Sequence, residues 1–201
     1  LKTLGELKLE NTTFTRPLPL LLLGYLSLEG SQQRKHLAEL FWTQGNRMKS
    51  LSMTLTRLRQ GAGEIVGADD KRTWTTLSSD AKTLLSALDK SDWQQASELY
   101  TGAFLEDVVL EDWSSELEEW VYSTREYLAE RVQYALLNLA DEAAKTQMFD
   151  KARDLSERAY KLPGLSGTEL TNLKRLYPLL CARRSLLAPE VRKELEEYGV
   201  G

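Results

Sequence analysis

The most constraining feature of this sequence is a change of pattern at Ser78. Before Ser78, helical segments are mixed with short runs that alternate apolar and polar residues or are rich in β-branched residues, as strands are. After Ser78, the periodic segments have helical spacing. The chain is therefore expected to be mainly α-helical, with a small amount of β-structure in its first part.

The first part contains the elements of a small mixed domain. Pro17 and Pro19 precede its first helix, Ser31 is a potential cap for the second, and Gly61 and Gly63 end the third. The predicted elements are, in chain order, paired strands at 4–9 and 12–15, helices at 20–28, 32–42 and 46–60, and a hairpin formed by 64–66 and 73–77. Three helices followed by a hairpin match a winged helix-turn-helix.

The second part is predicted to be all-helical. Ser78, Ser79 and Asp80 offer N-caps for its first helix, which carries three leucines, and Pro163 with Gly164 interrupts the later pattern. The first predicted helix carries Leu84, Leu85 and Leu88. The later predicted helices are at 92–102, 113–132, 133–146, 150–162, 168–184 and 189–198. The expected domains are therefore 1–77, 78–164 and a C-terminal pair of helices at 165–201, which would serve as a linker to a further module.

Two segments of the helical part are similar to each other. Residues 93–103 align with 149–159, and the matched pairs are Trp93 with Phe149, Ala96 with Ala152, Leu99 with Leu155, and Ala103 with Ala159. This spacing is how the second helices of tetratricopeptide repeats pack against their neighbours. Two unrelated amphipathic helices can share such spacing by coincidence, but the ending at 160–163 is also tetratricopeptide-like, so a repeat is the favoured interpretation.

Charge is distributed unevenly along the chain. Residues 1–77 carry 11 basic and 7 acidic side chains, whereas the remainder carries 15 basic and 23 acidic ones. Within 31–60, six basic residues are opposed by Glu39 alone. Such a block in an otherwise acidic chain indicates an anionic partner for the first part, although a solvated helix face would have a similar composition.

The predicted helix at 46–60 has two contrasting faces. At 100° per residue, Leu51, Leu55 and Leu58 fall together with Met48 beside them, and this face is expected to enter the core. The opposite face carries amide, hydroxyl and cationic groups and one flexible apolar side chain: Asn46, Lys49, Ser50, Met53, Thr56, Arg57 and Gln60.

The composition of this polar face is suited to reading DNA. Arginine can bind guanine through two hydrogen bonds, asparagine and glutamine suit adenine, and a methionine can contact a thymine methyl group. An ordinary surface helix is the alternative, but such helices usually carry acidic residues, and 44–63 contains none. The helix is therefore predicted to be a recognition helix.

Four further basic residues are predicted to position the DNA rather than read it. Arg34 and Lys35 begin the preceding helix, where backbone amides and side chains can hold a phosphate. Lys71 and Arg72 lie at the predicted hairpin tip and suit phosphate or minor-groove contact. Asp69 and Asp70 are adjacent, which favours the alternative of a solvated turn.

The sequence excludes several other classes of function. One cysteine and one histidine are too few for a disulfide framework, a thiolate zinc cluster or a multi-histidine metal site, and no phosphate-loop, dinucleotide-binding, zinc-protease or serine-hydrolase motif occurs. Acidic pairs such as Glu111 with Asp112 are interpreted as solvated faces. The longest apolar stretch, 18–28, is too short to span a bilayer. We expect a cytoplasmic protein that is not an enzyme, needs no cofactor and does not enter a membrane.

Several of these motifs are similar to those of a known family. LLLGYLSLEGSQQRKHLAELFW at 21–42, followed by LSMTLTRLR at 51–59, resembles the start of the Streptomyces antibiotic regulatory proteins. DWQQASELYTGAFLEDV at 92–108 and EDWSSELEEW at 111–120 resemble the bacterial transcriptional activator domain of that family. The resemblance covers about residues 4–163.

The resemblance implies both a fold and a function. It implies a winged helix of the response-regulator type followed by a tetratricopeptide-like helical domain, with the recognition helix at 46–60 and the wing at 64–77. Family members bind direct repeats in promoter DNA, often as side-by-side dimers, and activate transcription by contacting RNA polymerase. The predicted hairpin departs from the family by lacking its glycine-aromatic-arginine run, since Lys71, Arg72, Thr73 and Trp74 stand there. The alternative function is a protein-interaction scaffold whose winged helix does not bind DNA.

Overall fold

The computed structural model describes residues 1–109 and 113–200. It is mainly helical, with 61% of the described residues in helices and a small three-stranded antiparallel sheet. The elements are α1 (Pro17–Glu29), β1 (Gln32–Gln33), α2 (Arg34–Phe41), α3 (Arg47–Ala62), β2 (Val66–Ala68), β3 (Arg72–Thr75), α4 (Asp80–Asp89), α5 (Trp93–Leu99), α6 (Ser115–Lys145), α7 (Phe149–Tyr160), α8 (Leu170–Ala182) and α9 (Ala188–Glu197). The predicted acidic pair Glu111 and Asp112 lies outside the described residues. No helix within the described ranges has the length and apolar character that a membrane span requires.

The predicted β-hairpin is confirmed, and it gains a third strand. Strand β3 pairs with β2 in antiparallel register, with Val66 opposite Thr75, and on its other side with the two-residue strand β1. Gly67 lies opposite Trp74, and a Cβ atom at Gly67 would lie 2.4 Å from the indole ring. The absence of a side chain at Gly67 therefore lets Trp74 lie flat over β2.

The predicted strand pair at 4–9 and 12–15 is wrong. The first segment makes isolated bridges, Lys2 with Lys8 and Leu4 with Phe104, and within the described ranges no ladder includes 12–15. Gly5 has a φ of +81°, which breaks the extended run that the alternating pattern suggested. The partner of Leu4 is 100 residues away in the sequence, so local alternation could not identify it.

Two of the first helices begin at different residues than the sequence suggested. Helix α1 begins at Pro17, because proline fits the first turn of a helix. Helix α2 begins only at Arg34, because the two residues before it pair with β3. Ser31 is not its cap: the Ser31 hydroxyl and carbonyl oxygens accept hydrogen bonds from the Arg72 guanidinium at 3.0 and 2.5 Å.

Helix α6 is continuous where two helices were predicted. Residues 115–145 contain neither glycine nor proline, so nothing in the sequence interrupts the backbone hydrogen bonds near Val132. The predicted cap of α4 is confirmed, because the Ser79 hydroxyl accepts a hydrogen bond from the Lys82 backbone N–H at 3.2 Å.

The chain is organised as two compact units, each made of two stretches. Unit 1 comprises Leu1–Leu84 and Thr101–Arg125, and unit 2 comprises Leu85–Tyr100 and Glu126–Gly201. Helices α4 and α6 therefore have residues in both units. The domains expected from the sequence, with bounds at 77 and 164, are each one continuous segment of the chain. These bounds remain predictions.

Unit 1 is closed by contacts between the N-terminal segment and residues far along the chain. The Asp80 carboxylate accepts hydrogen bonds from the Thr3 backbone N–H at 2.7 Å, the Thr3 hydroxyl at 2.6 Å and the Leu4 backbone N–H at 3.1 Å. The Leu105 backbone N–H donates to the Thr3 carbonyl at 2.8 Å. A Cβ atom at Gly102 would lie 2.9 Å from the Gly5 Cα, so the two chain segments approach closely because Gly102 has no side chain.

Unit 2 is built around α8, which packs on both α7 and α9. Ala96 and Ala152, one of the pairs matched in the internal alignment, are both buried. Ala103 lies outside α5, whereas its counterpart Ala159 lies inside α7. The two segments therefore differ at their ends, and the tetratricopeptide interpretation remains a prediction.

Candidate nucleic-acid interface

Helix α3 is fixed in unit 1 by its cap and by a row of leucines. The Asn46 side-chain oxygen accepts a hydrogen bond from the Lys49 backbone N–H at 3.0 Å, which satisfies one of the free donors at the helix start. Leu51, Leu55 and Leu58 are at most 2% exposed, as the spacing predicted. These contacts set the rotation of α3 about its axis and therefore determine which residues face solvent.

The predicted reading residues lie on the outer side of α3. We call this set of seven the α3 face; it consists of Asn46, Lys49, Ser50, Met53, Thr56, Arg57 and Gln60. All are exposed except Ser50, which is half-buried, and Met53 is 43% exposed. The structure therefore brings the seven residues together on one accessible surface that carries no carboxylate.

The strongest donors of the α3 face have no partner within the described part of the chain. Lys49, Arg57 and Gln60 make no side-chain hydrogen bond or ion pair with any residue of 1–109 and 113–200. The Thr56 hydroxyl donates to the Ser52 carbonyl at 3.0 Å and keeps its lone pairs as acceptors. The side-chain N–H₂ of Asn46 makes no hydrogen bond with the described residues and remains a donor. This arrangement leaves the face ready to bind an external acceptor.

Met48 was predicted to enter the core, and this is wrong. Its side chain is 42% exposed and lines a cleft rather than the leucine row. The reason is its position: Met48 lies in the first turn of α3, beyond the end of the packed row that Leu51 begins. Its periodicity is that of a core residue, so the sequence contains no signal for its exposure.

The tip of the β2–β3 hairpin is organised by one carboxylate. The Asp69 Oδ1 atom accepts hydrogen bonds from the backbone N–H groups of Lys71 at 2.7 Å and Arg72 at 2.6 Å. Both bonds lower the pKa of Asp69, and the bond from Arg72 has the larger effect. The nearby positive charges of Arg72 and Arg34 lower this pKa further. Asp69 therefore stabilises the turn through these two hydrogen bonds, in addition to being exposed to solvent.

The two arginines beside this tip form hydrogen bonds inside unit 1. The Arg34 guanidinium donates to the Ser52 hydroxyl at 3.0 Å and to the Asp69 carbonyl at 3.4 Å. The Arg72 guanidinium donates to Ser31, as described above. Both side chains thus hold the hairpin against the starts of α2 and α3. The side chain of Lys71 is exposed and makes no hydrogen bond or ion pair to the residues that the structure describes.

A cleft of about 420 Å³ lies between the hairpin tip and the starts of α2 and α3. Its lining carries four basic residues and one acidic residue and consists of Gln33, Arg34, Lys35, Met48, Asp70, Lys71 and Arg72. The Lys35 ammonium lies 4.0 Å from Glu39 in a highly exposed pair, which is a weak interaction. The cleft is therefore positively charged and can accept a phosphate.

The structure groups the predicted residues into two neighbouring sets, the α3 face and the cleft at the hairpin tip. Within the described ranges, no three His, Cys, Asp or Glu side chains are placed to hold a metal ion together. The chain matches no family model, and no curated protein or solved structure matches it. The likeness to the Streptomyces antibiotic regulatory proteins accordingly rests on the quoted motifs.

Proposed function

We propose that this protein is a sequence-specific DNA-binding transcription regulator. The observation that carries the proposal is the α3 face, where Lys49, Arg57 and Gln60 are exposed on a rigid helix and keep their donors for an external partner. Side chains of this kind read base edges when a helix lies in the major groove. The absence of carboxylates from this face removes the repulsion that phosphates would otherwise meet.

The surrounding elements support a winged helix-turn-helix mode of docking. In this mode α3 lies in the major groove, α2 crosses the backbone, and the β2–β3 hairpin contacts the adjacent phosphates. The basic cleft beside Lys71 supports this mode because it can accept such a phosphate, and the Arg34 and Arg72 hydrogen bonds hold the hairpin beside it.

The resemblance extends the proposal to the way in which transcription is regulated. On this basis the protein binds direct repeats in a promoter as a side-by-side dimer, and its helical part activates transcription by contacting RNA polymerase. The stretch from Ser78 onward carries 23 acidic against 15 basic residues, which favours a protein partner over nucleic acid for that part.

The test is a selection of duplexes from a random library with the full chain, followed by titration of the enriched duplexes at two salt concentrations. A chain cut at Ser78 is unsuitable, because it would lack Asp80 and Thr101–Arg125, which belong to unit 1. The proposal expects an enriched repeat motif and an affinity that falls with salt. Absence of any enriched motif would contradict it and favour the interaction scaffold.

A further inference from the structure

The middle of the α3 face differs in chemistry from the two cations that lie on either side of it. Lys49 and Arg57 lie four residues before and four residues after Met53, so the three side chains form one row along the helix. At about 1.5 Å per residue, each cation lies about 6 Å along the axis from Met53. Because successive base pairs are about 3.4 Å apart, the row matches three positions in the major groove that are about two base pairs apart.

The hydroxyl groups beside Met53 are already used within α3. The Thr56 hydroxyl donates to the Ser52 carbonyl at 3.0 Å, and the Ser52 hydroxyl donates to the Met48 carbonyl at 2.9 Å. The hydrogens of both hydroxyls are therefore not available to a base. Ser50, the other hydroxyl of the α3 face, is half-buried. The middle of the face thus presents the apolar Met53 side chain and the lone pairs of Thr56 Oγ1.

Met53 is the accessible apolar group in the middle of this face. Its side chain is 43% exposed on a helix whose orientation the leucine row fixes. In the major groove, a base pair presents one apolar group, the C5-methyl group of thymine. The adenine of the same pair presents an amino group, which suits the free acceptor on Thr56 Oγ1. A G·C pair presents an amino group but no methyl group, so the middle of the face favours an A·T pair.

We infer that Met53 is a specificity-determining residue, which selects a thymine by contact with its C5-methyl group, between the positions that Lys49 and Arg57 contact. The inference rests on the proposed function, because it needs α3 to lie in the major groove. It names the class of DNA site: an A·T pair in the middle, with a guanine, the base that lysine and arginine bind, about two base pairs to each side.

The test uses the full chain and a duplex enriched in the selection described above. Each thymine of the duplex is replaced in turn by deoxyuridine, which lacks only the C5-methyl group. At the thymine that Met53 contacts, deoxyuridine is expected to raise the dissociation constant about fourfold, the effect of losing one buried methyl group. Fluorescence anisotropy measures the ratio of the two dissociation constants.

Matched variants assign this ratio to Met53. In Met53→Ala the ratio is expected to fall to about 1, because the truncated side chain no longer reaches the methyl group, whereas Met53→Leu keeps an apolar side chain and should retain most of it. Met48→Ala is the control, because Met48 lies on the same helix and is 42% exposed but is outside the α3 face. This control should leave the ratio at about four. The substitutions are at exposed positions, so the leucine row that packs α3 stays intact.

A second change of the DNA separates the methyl group from the rest of the base pair. Replacing the same T·A pair by C·G removes the methyl group, and methylation of that cytosine at C5 restores it. Methylation should strengthen binding of the wild type about fourfold and should not affect Met53→Ala.

Three results would overturn the inference and leave the proposed function standing: a selected duplex that binds but is insensitive to deoxyuridine at every thymine, a ratio that Met53→Ala retains, or a ratio that Met48→Ala loses. Absence of any enriched duplex would overturn both the inference and the proposed function.

Discussion

The α3 face and the hairpin tip are both basic surfaces of unit 1, but their cations are used differently. On the α3 face, Lys49 and Arg57 make no side-chain hydrogen bond or ion pair to the described residues. At the tip, Arg34 and Arg72 hold Ser52, Ser31 and the Asp69 carbonyl. A count of basic residues therefore overstates the number of basic side chains that are available to a ligand. Hydrogen bonds within the protein distinguish the basic side chains that remain available to a ligand from those that position the hairpin.

The largest expected effect is on the α3 face. The double substitution Lys49→Ala with Arg57→Ala should weaken binding to a selected duplex roughly 100-fold, because two contacts to bases or phosphates are lost and each is worth about 1–3 kcal/mol when it reads a base. Fluorescence anisotropy measures the change. The control, Lys145→Ala with Lys174→Ala, removes the same charge from exposed positions of unit 2. An equal loss in that control would show that net charge alone governs binding.

An intermediate effect is expected for Arg72→Ala. The substitution releases the hairpin from Ser31 and should weaken binding about fivefold, while the salt dependence stays the same because no phosphate contact is lost. Faster amide hydrogen exchange in β2 and β3 would report the loosened hairpin. A salt slope that falls by about 1 would instead make Arg72 a direct phosphate contact.

Lys71→Ala should weaken binding less than Arg72→Ala does, but unlike Arg72→Ala it should change the salt dependence of binding. Its side chain is exposed at the edge of the cleft, so its loss should weaken binding to all sequences about threefold and reduce the salt slope by about 1. Titrations at several salt concentrations with specific and random duplexes measure both quantities. Selective weakening of one sequence would mean that Lys71 reads a base.

The smallest effect is the pH dependence of the hairpin tip. The backbone N–H groups of Arg72 and Lys71 lower the pKa of Asp69 in the folded state. Its contribution to stability is therefore fully present above the ordinary aspartate pKa of about 3.9 and is lost as the pH falls through the lowered value. An NMR titration should show the Lys71 and Arg72 amide signals moving below that pH. Asp69→Asn should abolish this movement, and a midpoint above the ordinary value would contradict the account.

The sequence predicted the exposed face of α3 better than it predicted the surrounding fold. The spacing of Leu51, Leu55 and Leu58 determines the orientation of α3, so the outward residues followed from periodicity alone. The bridge between Leu4 and Phe104 and the close approach of Gly102 to Gly5 join segments about 100 residues apart, and local patterns do not encode such contacts. The exposure of Met48 and the internal bonds of Arg34 and Arg72 likewise depend on the tertiary structure.

DNA is proposed to contact the α3 face. The chain has three methionines, of which Met48 and Met53 lie on α3 and Met148 lies in unit 2, and they are 42%, 43% and 49% exposed. Methyl NMR of the labelled methionines during titration with a selected duplex therefore contains its own control. The account predicts that the Met53 signal shifts strongly and the Met48 signal shifts less, while the Met148 signal stays in place. A bound complex in which Met148 shifts and Met53 does not would contradict it.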